Sequence, residues 1–178
     1  MKNANPVSLL FRGVLLVMVL LAVTGCGRSD VSREQVAVKT VADFFPIQVG
    51  DRTVKMQLAI KPREMERGLM ERRDLKTDEG MLFLYEKPQK MSFWMRNTPT
   101  ALDIGFFSAD GTLKEVYPLY PFDETTVQSR SDELKFALEM NQGWFEFHGV
   151  KPGAKIDLKV LAAAVKARGF NPAIYGLE

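Results

Sequence analysis

Arg52-Thr53-Val54-Lys55-Met56-Gln57-Leu58-Ala59-Ile60-Lys61-Pro62 is the stretch on which the fold class turns. Val54, Met56, Leu58 and Ile60 alternate with Lys55, Gln57 and Ala59. Successive side chains of an extended chain point to opposite faces, so this period of two predicts a half-buried strand. Upstream, Gly50-Asp51 separates it from Phe45-Pro46-Ile47-Gln48-Val49, and the two runs read as a hairpin. Downstream, Pro62 suits a first helical position and Gly68 stands where a helix stops, which predicts a short helix over Pro62–Arg67.

Further apolar runs follow along the chain, and Leu134–Met140 alternates again. Met81–Tyr85, Met91–Met95, Leu102–Phe107, Leu113–Tyr120 and Leu134–Met140 are further strand candidates, and Asp110-Gly111 is a hairpin signal between two of them. Asn141 is a candidate cap for a one-to-two-turn helix ending at Gly149. Lys155–Leu161 reads as a last strand and Ala162–Arg168 as a terminal helix. The expected fold is α+β and predominantly β: a compact, barrel-like or strongly curved antiparallel or mixed sheet of about seven strands with two or three short helices.

Ahead of this domain the sequence changes character. Lys2 and Arg12 precede the apolar run Val14–Val23, which ends in Val23-Thr24-Gly25-Cys26. A positive flank and about ten apolar residues make a secretory leader, too short to span a bilayer comfortably. The ending resembles the bacterial lipobox, which implies a diacylglyceryl thioether on Cys26 and usually an acylated new N-terminus, and two or more chains anchor stably. Residues 1–25 are thus expected to be a signal peptide, 26–43 the lipidated cysteine and a flexible polar tether, 44–161 the β-rich domain and 162–178 a C-terminal helix and tail. The expected location is exported and lipid-anchored. Gly27, where Asp is absent, favours the outer membrane facing the periplasm by analogy with enterobacterial lipoproteins.

Composition excludes several function classes. Of 24 basic residues, Lys2 and Arg12 lie in the leader, which leaves 22 basic against 22 acidic residues. A neutral chain has no electrostatic footprint for nucleic acid. Cys26 is the one cysteine and His148 the one histidine, and no acidic calcium loop or phosphate-cradling glycine loop is present, so no metal site or cofactor is expected. His148 stands beside Gly149 at a predicted helix end, where it serves the helix terminus.

Chemistry concentrates elsewhere. Alternation puts Ser92, Trp94 and Arg96 on one strand face, Asp103 opposite Leu102 and Ile104, and Glu139 and Asn141 opposite Leu138 and Met140. If the three strands are neighbours, Trp94, Arg96, Asn97, Asp103, Glu139 and Asn141 form a polar patch. The indole offers a face for stacking, Arg96 a fork for carboxylate or phosphate, and Asp103 with Glu139 an acid–base pair for glycoside chemistry. The alternative is structural: Arg96 paired with one of the carboxylates, Asn97-Thr98-Pro99 a turn, and Trp94 a core residue.

Gly68-Leu69-Met70, Gly80-Met81-Leu82-Phe83, Phe93–Thr98, Leu102-Asp103-Ile104 and Leu138–Gly143 occur in that order. Together they resemble the family known as domain of unknown function 192, over about Phe45 to Leu161. Arg96 stands where Lys is common, and Gln142 where a small residue is usual. The resemblance implies a small β-rich domain, often exported, and carries no established activity. The leading expectation is therefore a non-catalytic envelope binding module for a saccharide or small anionic ligand. A carboxylate-based hydrolase using Asp103 and Glu139 is the rival, and a module that engages an envelope protein partner is the third reading.

Overall fold

A computed structural model of the protein describes residues 37–177. The leader, Cys26 and the start of the expected tether lie outside the described residues. Strands β1 (Phe45–Val49), β2 (Arg52–Ala59), β3 (Glu79–Gln89), β5 (Leu102–Ser108), β6 (Leu113–Leu119) and β8 (Leu134–Asn141) form one sheet in the order β1-β2-β3-β8-β5-β6. Only β2 and β3 run parallel. The short strands β4 (Ser92–Phe93) and β7 (Val127–Gln128) pair separately. Helix α1 (Pro62–Arg67) is the connection between the parallel strands, with α2 (Trp144–Phe147) after β8, then α3 (Leu158–Ala167) and a 3₁₀ turn at Pro172–Tyr175.

The expected α+β, mostly β class is what the chain adopts, and α1 has the predicted bounds. The sheet, however, is open. Its edge strands β1 and β6 do not pair with each other; Lys155 and Ile156 make single bridges, to Thr112 and to Val49, near the same end of both. The expected last strand Lys155–Leu161 is thus reduced to these two residues. Asp157 ends it by accepting a hydrogen bond from the Val160 N–H, 3.0 Å away, which caps α3. Leu158, Leu161 and Val165 then follow helical spacing, so the terminal helix starts four residues before the expected Ala162, and the expected domain limit at 161 falls inside it. Asn141 does not cap α2; Gly143 does, at φ 83. Residues 37–43 of the expected tether include a turn closed by Thr40 and Asp43, and the Lys39 N–H bonds the Ala167 carbonyl.

Two cores lie on the two faces of the sheet. On the first, Met56, Leu58, Leu82, Phe136, Leu138 and Met140 pack against Trp144 and Phe145 of α2 and Leu161 and Val165 of α3. On the second, Met81, Phe83, Ala137, Ile104 and Phe106 pack against Leu69, Met91, Phe93 and Met95 from the loops after α1 and around β4. A fully buried side chain of this kind contributes about 1.5–3 kcal/mol.

Arg168 ties the two sides together. It is buried, donates to the Leu58 carbonyl at the end of β2, and pairs with Glu64 of α1 at 2.7 Å. Glu64 also accepts the N–H groups of Ile60 and Lys61, each at 3.0 Å, which nucleates α1. Burial works to raise the Glu64 pKa, but those N–H groups and Arg168 outweigh it, leaving the carboxyl below its usual range. Arg168→Ala should cost about 3–5 kcal/mol in urea denaturation, because it strands a half-buried carboxylate. Arg168→Lys should recover little of this, since an ammonium cannot span both partners.

Candidate functional site

Strand β8 is the middle of the sheet, flanked by β3 and β5, and nearly all its side chains are buried. Register decides where its polar residues go. Glu139 pairs with Met81 on one side and Ile104 on the other, whereas Asp103 pairs with Met140. Directly opposed residues share a face and successive residues alternate, so Glu139 and Asp103 lie on opposite faces of the sheet. They do not form an acid–base pair. Asp103 accepts the Gly143 N–H at 2.8 Å and so holds the turn that starts α2. Burial raises its pKa first, the Gly143 hydrogen bond opposes this, and Glu146 adds to it.

Asn141, on the face of Glu139 but at the strand end, donates to the Lys76 carbonyl at 2.8 Å. It lines a separate depression with Thr77, Trp144, Phe147 and His148. His148 ends α2 as expected, its ring tilted against that of Trp144 at 4.9 Å and its Nε2 3.5 Å from Asp78. The predicted patch therefore divides: Asp103 and Asn141 do structural work, Arg96 and Asn97 line an outer groove, and Trp94 and Glu139 meet at one site.

That site is a cavity of about 310 Å³ on the second face of the sheet. Its floor is Glu139 and its walls include Phe83, Tyr85, Phe93 and Trp94, with Leu69 and Met70 from the loop after α1. Beside it a wider groove is lined by Arg63, Arg67 and Arg96 with Glu66 and Glu124; Glu66, Arg67, Met70 and Trp94 belong to both. Although the expected strand Met91–Met95 shrinks to Ser92–Phe93, its alternation persists. Met91, Phe93 and Met95 are buried, and Trp94 is 41% exposed. The Arg96 guanidinium lies over the Trp94 ring at 5.1 Å and reaches Glu124 at 3.8 Å, a solvent-exposed pair of little energetic weight. Arg96 pairs with neither Asp103 nor Glu139.

Three non-glycine residues with positive φ border this region: Glu71 at 62°, Asn97 at 53° and Phe122 at 61°. The Glu71 N–H bonds the Asn97 carbonyl at 2.8 Å, and the Phe122 N–H bonds the Thr98 carbonyl at 3.1 Å. Asn tolerates this conformation; for Phe and Glu it stores about 1–3 kcal/mol. Strained backbone is thus concentrated in the loops that shape the rim.

Glu139 is the anomaly. It is 5% exposed, and its Oε2 has no hydrogen-bond partner among the described residues. Burial pushes its pKa up to about 8. Tyr85, on the same wall, is pushed up to about 12 by burial and then by Glu139. Sequence reasoning missed Arg63, Arg67, Gly68 and Tyr85. The signal for the arginines was their i, i+4 spacing on α1, which sets both on one helix face.

A sequence profile of DUF192, described as an uncharacterised ACR, matches residues 45–158. A protein of unknown function from Novosphingobium aromaticivorans DSM 12444 has a similar structure, with a TM-score of 0.63 and 34% identity, over 68% of this chain and 91% of that one. A candidate transcription regulator from Sinorhizobium meliloti 1021 is similar with a TM-score of 0.58 and 32% identity, over 65% of this chain and 95% of that one. No curated protein matches the chain.

A carboxyl with a raised folded-state pKa contributes stability that is present below its unfolded value and lost as pH rises through the folded value. For Glu139 that window runs from 4.5 to about 8. The loss across it is on the order of 5 kcal/mol at 1.36 kcal/mol per unit. Unfolding free energies measured between pH 5 and 8.5 should therefore fall steeply for the wild type and distinctly less for Glu139→Gln. Parallel pH profiles would show that Glu139 is not held protonated by the fold.

Proposed function

The chain belongs to the DUF192 family, and from that premise we propose a lipid-anchored envelope module that binds a small ligand at the Trp94 cavity without transforming it. The observation that carries the reading is the convergence of an open indole, a buried acid and an arginine-lined groove on one cavity. A preformed hollow that combines aromatic walls with fixed polar groups suits a small ligand that has both apolar and charged parts. The arginines favour a ligand bearing an acidic group, as an anionic metabolite or an envelope saccharide with a carboxylate does.

The glycoside-hydrolase alternative loses its second carboxylate to the far face of the sheet. The regulator description of the Sinorhizobium protein is not carried over, because 22 basic residues past Gly25 are matched by 22 acidic ones. The anchor rests on the leader and Cys26. Replacing that thiol by Cys26→Ser should move the protein from the membrane fraction to the soluble fraction.

Binding is readable from tryptophan. The chain has two, and Trp144 is buried, so a Trp144→Phe background isolates Trp94. Titrating muropeptides, envelope oligosaccharides and anionic metabolites should give saturable quenching with one class. A ligand at 100 times its Kd should add about 2.7 kcal/mol of stability. Trp94→Ala should weaken that binding about three- to tenfold, in line with an aromatic contact of roughly 0.5–1.5 kcal/mol. Absence of quenching and of stabilisation across the whole panel would sink the binding reading.

A further inference from the structure

The Glu139 carboxyl lies on a floor of apolar neighbours, Met81 and Ile104 beside it in the sheet and Phe83 diagonal to it. Among the described residues, no cation forms an ion pair with it. Tyr85 of β3, Glu66, and Ser92, Trp94 and Thr98 line the same cavity without positive charge. Arg67, the one cation of the lining, is turned outward and paired with Glu71 at 3.1 Å. A buried acid without a partner is costly, and the compensating group is either a cation or a hydrogen-bond acceptor supplied from outside.

The walls decide between these. Four aromatic rings, Phe83, Tyr85, Phe93 and Trp94, line the cavity together with the carboxyl, and ring faces attract cations. Gly68 packs over the carboxyl: a Cβ there would sit 3.8 Å from Glu139 Oε2 and 3.3 Å from the Phe83 ring. Oε2 itself is sealed from solvent, so an entering group meets Glu139 from the cavity that it lines.

Resting on the binding role proposed above, we infer that the inner end of the Trp94 cavity is an ammonium site. The ligand is a small zwitterion whose amine pairs with Glu139 while its acidic group stays at the arginine groove. As the ammonium arrives, the Glu139 O–H breaks and its proton leaves to solvent. The ligand amine keeps all its protons, so one proton is released for each protonated site that is filled.

The test uses the full chain in detergent micelles, with 5-aminopentanoate, pentylamine and pentanoate as probes, followed by Trp94 quenching and by calorimetry in buffers of different ionisation enthalpy. The expected result is that 5-aminopentanoate binds at least tenfold more tightly than pentanoate. It should also release about nine-tenths of a proton at pH 7, set by a Glu139 pKa of about 8. Affinity should rise between pH 6 and 8, and Glu139→Gln should abolish both the proton release and the preference for amines while remaining folded. Pentanoate binding as tightly as 5-aminopentanoate, without proton release and weakening above pH 8, would overturn the ammonium site. Glu139 would then be a hydrogen-bond donor, and the binding role would stand. Silence from all three probes would also overturn it; the saccharide and metabolite titrations then tell whether the binding role fails with it.

Discussion

The constraint on which the rest depends is the burial of the central strands on both faces. β3, β8 and β5 carry apolar side chains alternately into two separate cores, so the sheet needs a cover on each side. The first cover is α2, α3 and the final 3₁₀ turn. The second is irregular, made from the loop after α1 and the chain around β4, and an irregular cover leaves hollows where a helix would fill them. The Trp94 cavity is such a hollow, and its floor is the one acidic side chain that β8 turns into the second core. On the other face burial raises the Asp103 pKa as well, but there the Gly143 N–H supplies a hydrogen bond that works against it. The two carboxyls thus differ for one local reason: Asp103 has a donor within reach, and Glu139 Oε2 has none among the described residues.

The rim is placed by a contact that starts on the far side of the molecule. Arg168, at the end of α3, reaches Leu58 and Glu64, and Glu64 holds the first turn of α1. Because α1 carries Arg63 and Arg67 and ends at Gly68, this single guanidinium couples packing of the first core to the geometry of the binding groove. Such a buried, multiply bonded arginine positions a short helix that, at six residues, is too short to be stable by itself.

Much of this was legible in the sequence, and each failure has a physical cause. Most of the strands were found because they stand as short alternating or continuously apolar runs between turn residues, and α1 because Pro62 and Gly68 mark its ends without help from tertiary contacts. Trp94 and Arg96 lie two residues apart, close enough in sequence for the guanidinium to reach the indole although Arg96 has already entered a turn. The convergence of Asp103 with Glu139 was not readable. Alternation states that a residue is opposite its neighbours, yet a sheet buried twice has no polar face to define a common side. Register then set Ile104, not Asp103, against Glu139. Lys155–Leu161 misled for a different reason: Lys155, Asp157 and Lys159 alternate with apolar residues as in a strand. Only the Asp157 cap and the apolar spacing extending to Val165 reveal the helix.

The site also explains where the molecule is under tension. Protonating a buried glutamate up to about pH 8 is a consequence of desolvation alone, and it makes the folded state progressively less stable across neutral pH. A leucine at that position would remove the penalty and complete the second core. The backbone strain at Glu71 and Phe122 falls on the loops bordering the same cavity. Electrostatic and conformational costs that coincide in one place are accounted for together if that place is where the protein meets something else.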